Sequence, residues 1–155
     1  MTLSGFLDKI RWLIATGGGT GLMPVAPATW ASLAAVLLYA VLPIDGGHPV
    51  FITMVFGGFL LAVWAAHRSL TPTSHDPKFV VSDEFIGMWA ALLWIPKEWA
   101  FLVAAFLLFR LFDITKPFYI RRFERLPGGL GVVADDVMAG VLTNLVLQLF
   151  ARVLT

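Results

Sequence analysis

Apolar residues fall along this 155-residue chain in long uncharged runs divided by short polar segments. Ala28–Leu42 carries no charge and stops at Pro43; Val50–Ala66 is again uncharged. A third zone, Phe85–Phe112, is broken at Pro96–Lys97–Glu98, and a fourth, Val137–Leu154, holds Thr143, Asn144 and Gln148. A bilayer core of about 30 Å takes roughly 20 helical residues, so these zones reach or approach spanning length. A proline beside two charges is costly at mid-membrane. The third zone therefore predicts a hairpin, one arm starting near Ser82 and the other running from Trp99 to about Asp113. Before them, Leu3, Phe6, Leu7, Ile10, Leu13 and Ile14 recur at helical spacing, predicting a short amphipathic helix over Met1–Gly17. The expectation is an all-α polytopic membrane bundle of about five membrane helices plus this amphipathic helix.

Composition strengthens that picture. Apolar residues make up 59 % of the chain and charged ones 14 %, against about 25 % charged in ordinary soluble domains. Mean hydropathy is +0.84. A soluble fold this short could not hide so much apolar surface, so residues 1–155 read as a single membrane-embedded domain. The formal net charge of +1 gives no case for nucleic acid as a partner. The absence of cysteine excludes disulfide scaffolds, thiolate zinc sites and cysteine-nucleophile phosphatases. Lys9 and Arg11 imitate a charged leader, but the apolar run after them meets Gly17–Gly18–Gly19 too soon for a cleavable signal.

With the N-terminus inside, Lys9, Arg11, Arg68, Lys78, Arg110, Lys116, Arg121, Arg122 and Arg125 all lie on the cytoplasmic side, and only Lys97 and Arg152 outside. All six tryptophans are expected near span ends as interface aromatics. The same topology gathers Gly17–Pro27, His67–Glu84 and the loop Asp113–Asp136 on one face, leaving the outer loops around Asp45–His48 and Pro96–Glu98 bland.

The candidate chemistry lies in those gathered segments. Asp83–Glu84 and Asp135–Asp136 are adjacent acid pairs where polar segments enter apolar helices, and Asp113 ends another. Carboxylates at the rim of an apolar core are costly unless paired or metal-bound. Several of them from different helix ends make a hard oxygen site suited to Mg²⁺. The competing reading is capping, with Ser82, Asp83 or Asp135 as N-caps. Arg110, Asp113 and Lys116 follow at helical spacing and flank one acid with two cations, as a phosphoryl group beside a metal requires; a snorkelling ion pair is the plainer account. Thr29 and Ser32, near the start of the first span, suit a phosphate contact or a cap. His75 and Asp76 share the segment of Asp83 and Glu84. Gly17–Gly18–Gly19–Thr20–Gly21 lacks the lysine of a P-loop and suits either anion approach by backbone N–H groups or a flexible turn.

Four separated motifs resemble those of bacterial phosphatidylglycerophosphatase A: Gly19–Leu33, Val80–Trp89, Phe109–Pro117 and Gly128–Gly140. Their order matches, and the similarity covers Ala15 to Gly140. Ala28 and Ala31 stand where the family pattern has glycine, which puts the contact at Thr29 in question. The resemblance implies a Mg²⁺-dependent lipid phosphatase of the bacterial inner membrane, multi-pass, with its site on the cytoplasmic face. It would remove the terminal phosphate of phosphatidylglycerophosphate to give phosphatidylglycerol. By motif position Asp83, Glu84, Asp113 and Asp136 would be catalytic acids, and these together with Asp135 and Asp76 the metal set. Arg110 and Lys116, with Thr29 and Ser32, would bind substrate. The partners expected are the lipid substrate and membrane lipids, with no obligate protein partner. A small membrane cation transporter or channel is the rival of a different class, since intramembrane acids often mark ion paths.

Overall fold

The computed structural model describes residues 3–70, 77–117 and 119–154. Among them the regular structure is all helical: α1 (Leu3–Ala15), α2 (Pro27–Val41), α3 (Pro49–Ser69), α4 (Ser82–Ala91), α5 (Trp99–Thr115), α6 (Ile120–Phe123) and α7 (Gly129–Leu154), with a 3-10 turn over Gly17–Leu22 after α1.

Helix α1 is the expected amphipathic element. Its Leu3, Phe6, Leu7 and Leu13 stay exposed, so that apolar face is not buried against the rest of the chain. It ends where Thr16 donates its hydroxyl to Trp12 O at 2.9 Å and Gly17 to Gly19 take positive φ, a conformation only glycine adopts freely. The glycine cluster is thus an ordered turn.

Helix α2 begins at Pro27, whose fixed φ suits a first helical residue, and stops before Pro43, which cannot continue a helix. Its open carbonyl end is closed from afar: Lys97 Nζ donates to Leu42 O and, at 3.0 Å, to Ile44 O. The same ammonium lies 4.7 Å from the centre of the Tyr39 ring. The outer loop at Pro96–Glu98 is therefore a clamp on α2 rather than a bland connection.

The hairpin break falls where the charges predict, with α4 starting at Ser82 and α5 at Trp99. Among the described residues two helices, α3 and α7, are long and apolar enough to cross a membrane. The other three expected membrane helices, α2, α4 and α5, have 15, 10 and 17 residues, short of the roughly 20 a bilayer core takes. Helix α4 is instead an interior element: its residues from Ile86 to Ala91 are all buried.

Two expectations are corrected. Helix α7 starts at Gly129, not near Val137, so Asp135 and Asp136 lie inside a helix and cap nothing. Three glycines at the start made this stretch read as loop, yet Gly129 packs on α3, where a Cβ would fall 2.9 Å from the Cα of His67. Tertiary packing there outweighs poor helix propensity. Trp89 is not an interface aromatic. It is buried, donates Nε1–H to Ala35 O at 3.0 Å, and packs tilted against Phe51 and edge-on against Phe85.

Helix α7 is the hub, packing on α3, α4, α5 and α6. Its crossing with α4 is made by Gly87 and Gly140. A Cβ on Gly87 would come within 2.6 Å of Asp136 O, so the two backbones touch. One turn before Gly87 stand Asp83 and Glu84; one turn before Gly140 stands Asp136. The glycine contact therefore fixes where the acids meet.

Candidate active site

The N-terminal turns of α2 and α4, the end of α5 and the second turn of α7 enclose a pocket of about 580 Å³. Asp83, Glu84, Asp113, Asp135, Asp136 and Lys116 all line it, joined by Lys78, Glu124, Pro27 and Ala28. Asp83 and Asp136 are 6 % and 4 % exposed. One carboxylate oxygen from each of Asp83, Glu84 and Asp136 lies within 4.8 Å of the others. Three like charges so close and so buried cannot all stay ionised without a counter-charge.

Two nearby cations, Arg110 and Lys116, are engaged elsewhere. Arg110 Nη1 pairs with Asp113 Oδ2 at 2.9 Å. Lys116 Nζ donates to Asp135 Oδ2 at 2.5 Å and to Glu124 Oε1 at 2.7 Å. Lys116 reaches them because it leaves α5 with φ +41°, an uncommon conformation for a residue with a side chain. Burial alone would lower its pKa, but the hydrogen bonds it donates to Asp135 and Glu124 and the charges of Asp135 and Asp136 overcome that, and the ammonium is held above its ordinary value.

Not every expected residue faces the pocket. Arg110 stands behind Asp113. Ser32 stands behind Arg110, accepting from Arg110 Nη1 at a long 3.4 Å while donating to Ala28 O at 2.9 Å. Thr29 is the third residue of α2, not its cap, and is not among the lining residues. Asp113 and Asp135 line the pocket as partners of cations, outside the cluster of three oxygens. His75 and Asp76 lie outside the described residues. Lys78 and Glu124 join the site without having been singled out in the sequence. No helical period links Lys78 to Asp83 or Glu124 to Lys116, so only tertiary structure reveals them.

The donor set suits a divalent cation. Glu84 Oε2 and Asp135 Oδ1 are buried without a hydrogen-bond partner, and buried acceptors are normally satisfied. Around the pocket six carboxylates face two lysines. An anionic phosphate enters such a field favourably only beside added positive charge. Oxygen-only ligands select hard ions of the Mg²⁺ class.

A family model described as phosphatidylglycerophosphatase A matches residues 13–151. The chain belongs to that family, and it is a phosphatase. A Haemophilus influenzae protein named phosphatidylglycerophosphatase A is 40 % identical over 149 residues, covering 91 % of each chain. An Escherichia coli protein of the same name is 38 % identical over 137 residues, covering 84 % of this chain and 77 % of its own. A Bacteroides thetaiotaomicron protein, provisionally named a phosphatidylinositol-3-phosphatase, is 40 % identical over 136 residues, covering 83 % of this chain and 86 % of its own. No solved structure matches the chain. The family match gives no support to the transporter reading.

Proposed function

We propose that the chain hydrolyses the terminal phosphate monoester of phosphatidylglycerophosphate, with Mg²⁺ held by Asp83, Glu84 and Asp136. The observation that carries this reading is the buried three-carboxylate cluster, flanked by Lys116 and Lys78, in a member of this phosphatase family. Bound there, Mg²⁺ would supply positive charge to the phosphate oxygens and make a water more acidic. Lys116 and Lys78 offer N–H donors to the remaining phosphate oxygens, and Arg110 orients Asp113 from behind. Water adds to phosphorus, a carboxylate of the pocket takes its proton, and the phosphorus–oxygen bond to the glycerol breaks. The glycerol oxygen leaves with a proton as the free hydroxyl of phosphatidylglycerol, together with inorganic phosphate. Lysine donors fixed where charge builds in the transition state are the main catalytic asset of such a site.

The same reading places the protein in the bacterial inner membrane as a multi-pass chain of about five membrane helices. Helices α3 and α7 would span on their own length, and the shorter α2, α4 and α5 would be embedded beside them. The excess of lysine and arginine on the face bearing the pocket supports a site on the cytoplasmic side.

The name of the Bacteroides relative favours one second reading, a phosphoinositide monoester as substrate. Purified protein in detergent micelles, given Mg²⁺ and either phosphatidylglycerophosphate or phosphatidylinositol 3-phosphate, separates the two. Faster phosphate release from phosphatidylglycerophosphate is expected. Faster release from the inositol lipid would transfer the assignment.

A further inference from the structure

The glycine turn and the helix before it take no part in the chemistry above, yet they touch the segment that carries it. Val81 N–H donates to Ala15 O, at the end of α1, at 2.8 Å. The turn that follows lies against the same stretch of chain. A Cβ on Gly17 would fall 3.1 Å from Val81 Cγ2, and one on Gly21 would run into the carbonyl oxygen of Phe79. So close an approach of two backbones needs a residue without a side chain. Residues 79–81 are thus held from behind by the end of α1 and its turn. Beside them in sequence stand pocket residues, Lys78 before and Asp83 and Glu84 after.

Helix α1 also carries an uncovered apolar face. Leu3, Phe6, Leu7 and Leu13 are between 46 % and 75 % exposed, and they lie within about 120° of one another around the helix. An exposed apolar stripe of this kind marks an interaction surface. Its level in the molecule says what covers it. Arg11 Nη1 donates to Arg68 O at 2.6 Å, one of the open carbonyls at the end of α3, and α1 packs on α3. Helix α3 is long and apolar enough to cross a membrane, so α1 lies where that helix leaves the hydrocarbon. Lys9 and Arg68, both exposed, add positive charge at that level, as anionic headgroups attract. A helix with an apolar stripe and basic residues beside it fits the boundary between headgroups and acyl chains.

We propose that α1 docks the face formed by Leu3, Phe6, Leu7 and Leu13 into the lipid surface at the cytoplasmic end of α3, and that this anchorage, passed through Ala15 and the glycine turn to Val81, holds Lys78, Asp83 and Glu84 in place. The inference rests on the membrane reading above and extends it from the spanning helices to the positioning of the site.

The cysteine-free chain allows one reporter at a time. Phe6→Cys, carrying an environment-sensitive fluorophore, is reconstituted into phosphatidylcholine–phosphatidylglycerol vesicles that contain lipid spin-labelled on its acyl chain. Leu61→Cys on α3, at an exposed apolar position, is the lipid-facing control, and Arg122→Cys the aqueous one. Strong quenching at positions 6 and 61, with little at 122, is expected. Quenching at 61 without quenching at 6 would mean that water or a second copy covers the face, and would overturn the docking. No quenching at 61 would overturn the membrane reading, and the docking with it. The link to the site is read by hydrogen exchange in the same vesicles. Phe6→Asp combined with Leu13→Asp puts charge on the face at two exposed positions. The segment 78–84 should then exchange about tenfold faster as Val81 N–H loses protection, while α5 keeps its protection and reports an intact fold. If α5 loses protection as well, the milder pair Phe6→Ser and Leu13→Ser decides, and a loss there too would make the face part of the core and overturn the docking. Unchanged exchange over 78–84 with α5 intact would overturn the link to the site.

Discussion

Asp83, Glu84 and Asp136 meet at the wall of the pocket with little of their surface exposed, while Arg110 and Lys116 beside them are engaged by Asp113, Asp135 and Glu124. At this scale the account depends on charge balance. Asp83→Asn and Asp136→Asn each remove one ligand oxygen's charge with almost no change of shape. Each should lower phosphate release on the order of a hundred- to a thousandfold while the protein still inserts and keeps its thermal midpoint. Near-normal turnover in both would remove these residues from the site. Arg110→Ala leaves Asp113 buried without its partner, a loss on the order of 3 kcal/mol, read as a lower midpoint of thermal unfolding in detergent. The Lys116 ammonium, held above its ordinary value, contributes in full below the unfolded lysine pKa and loses its contribution only as pH rises through the higher folded value. Between roughly pH 6 and 9 it therefore stays charged, and Lys116→Arg should leave the shape of the pH–rate profile unchanged across that window. Loss of a wild-type limb in this range would show that Lys116 titrates there and would contradict its assignment as a permanent cation.

Between elements, the decisive contact is the touching of α4 and α7 at Gly87 and Gly140. Any side chain at Gly140 meets the α4 backbone carbonyl of Gly87, which cannot move aside as a flexible side chain could. Gly140→Leu should separate the helices, spread the carboxylates and abolish activity. Lys97→Ala acts at the far end of the bundle and releases the α2 carbonyls. It should lower thermal stability while leaving KM unchanged, because Lys97 is remote from the pocket. A shift in KM with unchanged stability would mean that the clamp reaches the site.

The same elements show what the sequence makes legible. The hairpin break was readable because a proline and two charges have only one comfortable place, outside the hydrocarbon. The end of α2 was readable from Pro43. The acids of α4, α5 and α7 were readable as site candidates because charge at the rim of an apolar helix needs a reason. The start of α7 was not readable, since Gly128–Gly131 reads locally as loop and only the packing of neighbouring chain segments makes it helix. Nor could the sequence separate Lys116, which lines the pocket, from Arg110 and Ser32, which stand behind it. That distinction follows from the direction each side chain takes in three dimensions, as does the arrival of Lys78 and Glu124.

For the whole molecule, orientation is the open physical claim. The chain has no cysteine, so single-cysteine variants report sidedness without background. Glu98→Cys and Arg122→Cys both sit at exposed positions. A membrane-impermeant maleimide applied to intact spheroplasts should label the first and spare the second, with the pattern reversed in inside-out vesicles. Labelling of both from one side would refute the alternation of helices that places the pocket inside.

The most direct test of the central claim is phosphate release from phosphatidylglycerophosphate by purified protein, measured in EDTA and again as Mg²⁺ is restored, for wild type and Asp136→Asn side by side. The account predicts that EDTA silences the wild type, that Mg²⁺ restores it, and that no Mg²⁺ concentration restores the variant. Release that persists in EDTA, or a variant as active as the wild type, would contradict it.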